Sequence, residues 1–343
     1  MRRLEPAALR RRTQAPSLES LGYAGLSAAC REHSSQFAPE PETATDERSG
    51  LPIVYSPARA GRMGRPEGEC VVCDELTCPA VDVLELPGGD RAWLTPNLYP
   101  ICYPFETHQP ASGIHLVHWS SLFHARGLHS AGEAGAAAIL GQLARAEGFL
   151  LHHAPDSFPD TGEGHRGHVG IIKNRGRRVG GSVAHDHQQI MHMAMAPREP
   201  PLTVGMAPRL LLDTPEELVV ERAHGLCTTL VPHAMSRPLH AFIVPHGPPV
   251  GWLHHLEADV LSAVATATAH LCAALDELMT EQFGEPAWNL IVHTGAGCAP
   301  LIEARPFTQP LGGYEHLGVW LSEETAAASA GRLRGAVRER SKA

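Results

Sequence analysis

Eight cysteines in 343 residues are too few to staple a chain of this size. The Arg-rich start Met1-Arg2-Arg3 runs into proline and further arginines instead of an apolar leader, so a reducing compartment is expected and not a secreted disulfide scaffold. No apolar run reads as a membrane span. Positive charge is short as well, with 28 Lys and Arg against 37 Asp and Glu and a formal charge of -9. Nucleic acid is excluded as a bulk partner, because binding to its backbone needs clustered cations, although a small anion can still be held by a local arginine pocket. These absences lead to the expectation of a soluble, cytoplasmic protein whose thiols serve the core or a metal. Histidine is abundant, at 22 residues, and only those at motif spacing bear on chemistry.

Residues 1–50, rich in Arg, Ala, Ser and Pro and without a sustained period, are expected to form a poorly ordered extension. From Leu51 the pattern becomes globular, with strands expected at Ile53-Val54-Tyr55 and Ile114 to Trp119, a helix at Ala134 to His152 and a strand at Val169 to Lys173. The order then recurs as strands at Leu226 to Pro232 and His240 to His246, a helix at Ala258 to Phe283, and a strand at Trp288 to Gly295. A Pro-rich connection, Pro197 to Pro208, separates the two. Strand, strand, helix, strand appears twice, which predicts an α+β protein of two related modules. The expected limits are 51–196 and 209–325, with a C-terminal tail over 326–343.

The densest chemistry lies between Asn174 and Gln189. On an extended strand side chains repeat every second residue, so His185, His187 and Gln189 are expected to share one face, with Asp186 and Gln188 on the other. The upstream Gly180, Gly181 and Ser182 can turn sharply, bring backbone N–H groups to an anion and add a hydroxyl. A neutral imidazole attacks phosphorus when its other nitrogen donates to a fixed acceptor, which makes His187 the candidate nucleophile. An isolated histidine is more often a satisfied core residue, and it is the glycines, Ser182 and Gln189 that argue otherwise here.

Cys70-Val71-Val72-Cys73 has the two-residue gap that lets both thiolates reach one tetrahedral ion, yet by itself it is half a site and is also compatible with two incidental buried thiols. A redox role has less behind it, since no thioredoxin-like pattern follows. Further ligands would come from histidines, with His185 beside the reactive strand and His124 after the second strand. Arg59 and Arg62 can neutralise phosphate or simply line a solvated face.

In this ordered set the chain resembles the galactose-1-phosphate uridylyltransferase family of the histidine-triad superfamily. The family's His-x-His-x-Gln core stands as His185, His187 and Gln189, and its Asn-x-Gly-x-x-x-Gly-x-Ser lead-in as Asn174, Gly176, Gly180 and Ser182. Ser56-Pro57 with Arg59 and Arg62, the Cys70 and Cys73 pair, and Gly313-Tyr314-Glu315 extend the match over residues 52–321. The resemblance implies two histidine-triad-like modules, each an antiparallel sheet with packed helices, in a homodimer. It further implies covalent nucleotidylation of His187, phosphate contacts from Ser182 and Gln189 beside Gly180 and Gly181, and nucleotide contacts from Asn97 and Asn174. Arg59 and Arg62 would approach the phosphates from the partner subunit, Tyr314 and Glu315 would meet sugar hydroxyls, and Cys70, Cys73, His124 and His185 would bind a structural zinc.

The expected reaction is transfer of a nucleoside monophosphate, UMP first among candidates, between a nucleotide sugar and a sugar 1-phosphate. The rivals are a phosphorylase of the same superfamily, acting on a nucleotide sugar or a dinucleoside polyphosphate, and a non-catalytic zinc- and nucleotide-binding module. Departures concentrate at the sugar end. Gln309 stands where the family has a lysine, and Glu303 and Arg305 replace a second His-x-His that forms an additional iron site in some members. Asp186 and Gln188 replace the small or cyclic residues usual between the triad members.

Overall fold

The computed structural model describes residues 17–61, 70–197, 206–248 and 250–340. The chain divides into two compact units, residues 1–127, 142–171 and 185–200 in the first and 128–141, 172–184 and 201–343 in the second. Its elements begin with helix α1 (Leu18–Ser34) and strands β1 (Thr43–Thr45), β2 (Pro52–Val54), β3 (Asp82–Glu85), β4 (Arg91–Pro96) and β5 (Gly113–Trp119). Helix α2 (Gly132–His152), strands β6 (Asp160–Gly162), β7 (His165–Arg166), β8 (His168–Arg175) and β9 (His187–Met193) and helix α3 (Met206–Asp213) follow. The remainder is β10 (Val219–Ala223), β11 (Cys227–Leu230), β12 (Ala241–Pro245), α4 (Ala258–Phe283), β13 (Trp288–His293), β14 (Leu301–Pro306), α5 (Gly313–His316) and α6 (Ala326–Arg340).

Strand order is β3-β4-β5-β9-β8 in one run and β10-β11-β12-β14-β13 in the other. These are one topology: three successive antiparallel strands, a long helix, then a return that lays the last strand beside the third. The class is α+β, and the shared order is what a duplicated module would leave. Strands β3, β10 and β14 are absent from the sequence reading because each carries charged residues, and in β14 even Glu303 is buried.

The expectation of disorder over residues 1–50 is overturned from Ser17 onward; residues 1–16 lie outside the described residues. Ser17 caps α1 reciprocally with Ser20, and the helix buries Leu18, Tyr23, Leu26, Ser27, Cys30 and Ser34. Half of that face is small or polar, which hides its helical period in a hydropathy reading. It is also tied down. The Tyr23 hydroxyl lies 2.9 Å from His192 Nδ1 in β9, and Ser34 Oγ donates to the Asn97 carbonyl at 2.8 Å.

Residues 326–340 are not a tail either, since α6 packs on α4 and β10 and buries Ala330, Leu333, Ala336 and Val337. By length and composition α4 could cross a bilayer, but two thirds of its apolar window is buried in the protein, as in a core helix. Most of the Pro197 to Pro208 connection lies outside the described residues.

Candidate active site

In the first unit β9 starts at His187, not at His185, and pairs antiparallel with β5 so that His187 faces Trp119 and Gln189 faces Val117 across the ladder. Being ahead of the strand, His185 does not share the aim of His187 and Gln189 as strict alternation predicted; its ring turns to the cysteines. The Nδ1–H of His187 donates to the backbone carbonyl of His185 at 2.9 Å. A carbonyl can only accept, so the proton sits on Nδ1 and Nε2 carries the lone pair. The buried ring lies 5.3 Å from the Trp119 indole, which is fixed in turn by donating to Thr95 Oγ1 at 3.1 Å.

Gln189 and Asn97 meet at the buried His115, whose Nε2 lies 3.0 Å from each side-chain amide. Asn97 Oδ1 accepts the Tyr99 N–H at 2.9 Å, and the Arg59 guanidinium donates to the Tyr99 carbonyl of its own chain. Asn97, Gln189 and His187 are thus brought together, with Arg59 on the adjoining loop. Arg62 lies outside the described residues. His115 was missed from sequence, although a polar residue inside the apolar run Ile114 to Val117 was a signal.

Cys70, Cys73, His124 and His185 converge, their ligand atoms all within 4.8 Å of one another. Cys73 Sγ lies 3.6 Å from His124 Nδ1 and 3.8 Å from His185 Nδ1, and Cys70 Sγ lies 3.8 Å from His185 Nδ1. Metal arms of 2.0–2.3 Å in a tetrahedron require ligand separations of about 3.3–3.8 Å, so the donor set fits a zinc ion. His185 Nε2–H donates to the Ser121 carbonyl at 2.7 Å, which leaves Nδ1 for the ion. Burial, outweighing that hydrogen bond, lowers the His185 pKa and keeps the ring neutral, as a ligand must be. The Cys70–Cys73 turn closes through the Cys70 N–H, which donates to Asp74 Oδ2 at 3.1 Å.

Behind β9 the two departures from the family pattern are built into the packing. Asp186 fills the space beside Gly127, where a β-carbon would collide with it. Gln188 Oε1 accepts from Ser120 Oγ at 2.9 Å and lies 2.9 Å from His118 Nδ1. His118 Nε2 reaches Gln142 Oε1 at 3.1 Å, and the Gln142 amide donates to Asp82 at 2.6 Å.

The glycine-rich loop belongs to the second unit. Asn289 of β13, also unforeseen from sequence, donates to Asn174 Oδ1 at 2.8 Å and to the Val179 carbonyl at 3.2 Å. Arg175 grips Asp276 of α4 with two N–H groups, its Nη2 at 2.7 Å, and Asp276 also accepts the Trp288 indole N–H at 2.9 Å. Gly181 donates to the Gly176 carbonyl at 2.9 Å, and a β-carbon at Gly181 would stand 2.7 Å from the carbonyl oxygens of both Asn174 and Gly176. Ser182 follows, half-buried. Gly176, at φ +97°, presses against the Pro286 carbonyl. Gly176→Ala should therefore cost about 1–3 kcal/mol in strain alone, measured by chemical denaturation; unchanged stability would show that the loop takes another path.

Tyr314 and Glu315 lie in the second unit on an exposed turn. Backbone N–H groups, the Gly312 N–H at 2.8 Å among them, lower the Glu315 pKa, so the carboxylate caps its own helix. Gln309 is buried and donates to the Leu321 carbonyl at 2.5 Å. Glu303 accepts from His240 Nε2, His293 Nε2 and Arg305 Nε, each at 2.7 Å. Burial would raise its pKa, but these three donors prevail and hold it well below the carboxylate range.

No protein-family model and no curated protein matches the sequence. Solved structures do share the fold. A uridylyltransferase matches with TM-score 0.67 and 18% identity, over 87% of this chain and 99% of that one. ADP-glucose phosphorylase from Arabidopsis thaliana, solved with bound ADP-glucose, matches with TM-score 0.61 and 18% identity, over 87% of this chain and 98% of that one. A galactose-1-phosphate uridylyltransferase-like protein of Arabidopsis thaliana matches with TM-score 0.61 and 19% identity, over the same 87% and 98%. The chain has the fold of the uridylyltransferase-like proteins.

Proposed function

We propose that the protein is a nucleotidyltransferase that moves a nucleoside monophosphate from a nucleotide sugar to a phosphate acceptor through a covalent nucleotidyl-histidine at His187. The observation that carries the reading is the His187 imidazole, whose Nδ1 proton is held by the His185 carbonyl so that Nε2 is a standing nucleophile. The Nε2 lone pair attacks the α-phosphorus, an N–P bond forms, and the P–O bond to the sugar 1-phosphate breaks with the electron pair leaving on oxygen. The charge arising on the imidazole is met by the His185 carbonyl oxygen. An acceptor phosphate oxygen then attacks the same phosphorus and returns the electron pair to Nε2. Phosphate is already a good leaving group, so positioning and preorganised donors supply most of the rate. Gln189, Asn97, Asn174, Ser182 and the Gly180-Gly181 backbone are the residues we assign to that task.

A zinc ion held by Cys70, Cys73, His124 and His185 would be structural: it would fix the segment whose His185 carbonyl orients His187. The acceptor is the finer question. A sugar 1-phosphate fits the resemblance, with Tyr314 and Glu315 as sugar contacts in a homodimer to which Arg59 and Arg62 of the partner would contribute. The alternative acceptor, inorganic phosphate, is favoured by Gln309 and Glu315 being occupied with their own backbone. Intact mass after incubation with UDP-glucose, UDP-galactose and ADP-glucose tests the first half-reaction and identifies the base; we expect one nucleoside monophosphate added, acid-labile as a phosphoramidate should be. Adding galactose 1-phosphate, glucose 1-phosphate or inorganic phosphate to the labelled protein then identifies the acceptor. No label from any of the three donors overturns nucleotide-sugar chemistry.

A further inference from the structure

His115, assigned no role above, stands between the Ile101 backbone and the Gln189 amide. One donor cannot be reassigned: the backbone N–H of Ile101 points at His115 Nδ1 from 3.1 Å. That nitrogen must accept, so in a neutral ring the proton is on Nε2. Nε2–H then donates to Gln189, 3.0 Å away, and only the amide oxygen can receive it. A primary amide held by its oxygen turns its NH2 group the other way. His115 is buried, 2% exposed, so bulk water does not compete for either role.

Asn97 competes for the same nitrogen. Its Oδ1 is occupied by the Tyr99 N–H, so its Nδ2 is the atom that stands 3.0 Å from the same His115 Nε2. Two donors meet there, and the Asn97 amide hydrogens must find their acceptor elsewhere. Were His115 instead protonated on Nδ1, the Ile101 N–H would face another N–H, and Gln189 would reverse to present its oxygen. Against an anionic phosphate that reversed amide repels.

We propose that His115 is a positioning residue: through the Ile101 N–H it holds Gln189 with its NH2 group, a donor, toward the phosphate attacked by His187. This rests on the nucleotidyl-transfer reading, and two measurements separate the failure of one from the failure of the other. Nitrogen NMR of protein labelled with 15N-histidine, with His115 assigned by its loss in His115→Gln, should show a bare Nδ1 and a protonated Nε2. A protonated Nδ1 overturns the proposal whatever the reaction proves to be. In single-turnover labelling of His187 by the donor that labels the wild type, His115→Met should slow the step by about 10- to 100-fold, the scale of one hydrogen bond to a charged group. His115→Gln, which restores an N–H near the Nε2 position, should recover most of that loss, and Gln189→Glu, which cannot donate when ionised, should be at least as slow as His115→Met. Equal rates for His115→Gln and His115→Met, or a wild-type rate in His115→Met, overturn the proposal. A wild type that takes no label but shows the expected tautomer overturns the reaction and leaves the amide orientation standing.

Discussion

Replacing His187 by asparagine should abolish the covalent nucleotide, lowering the labelling rate by at least roughly 10³-fold. The asparagine amide nitrogen can reproduce the Nδ1–H bond to the His185 carbonyl, so the local hydrogen bonding is retained. What is lost is the second nitrogen. The Nε2 lone pair has no equivalent in an amide, whose nitrogen electrons are delocalised into its carbonyl, and no N–P bond can form. The ring also packs beside the Trp119 indole, so a small stability loss is expected, within about 1–2 kcal/mol. The pairing of near-intact stability with no label identifies a nucleophile and not a structural histidine. Stoichiometric labelling of the asparagine variant, read by intact mass, would show that another side chain attacks phosphorus.

Cys73→Ser should remove metal and stability together. Cys73 makes thiol contacts to both His124 and His185, at 3.6 and 3.8 Å. A serine hydroxyl is a poor zinc ligand, and the three remaining groups would keep a partly buried, incompletely coordinated site. On the scale of breaking a buried charged cluster this costs roughly 3–5 kcal/mol, a melting shift of roughly 10 °C in a protein of this size. The effect should extend to chemistry, because the His185 backbone carbonyl is the acceptor that orients His187. Cys78→Ser, at a thiol outside the cluster, should leave the metal content unchanged. Metal analysis decides the matter directly: wild-type protein purified without chelator and containing no zinc would refute the assignment.

Much of this site was legible along the chain because its informative features are local. A two-residue cysteine gap, a run of glycines that only a tight loop can use, and alternation of His187 with Gln189 all express backbone geometry within a few residues. Helix α4 falls at Ala258–Phe283, the limits expected from its apolar content. Local signals also misled: alternation extended the reactive strand back to His185, whereas the strand begins at His187 and frees His185 for the cysteines. Helix α1 went unread because the face it buries includes Ser27 and Ser34, residues that hydropathy counts as surface.

By itself, then, the sequence determined the residue types of the chemistry, their order and the conformation of the segments that carry them, since periodicity and turn chemistry act between neighbours. Only the tertiary structure decided partnership. His124 joins Cys70 and Cys73 from 51 residues beyond Cys73, Asn289 holds a loop 110 residues away, and Glu303 is claimed by His240, His293 and Arg305. The proton positions on His187 and His115 belong to the same class. Each is dictated by which carbonyl or backbone N–H stands opposite a ring nitrogen, and that neighbour is supplied by folding, not by spacing along the chain.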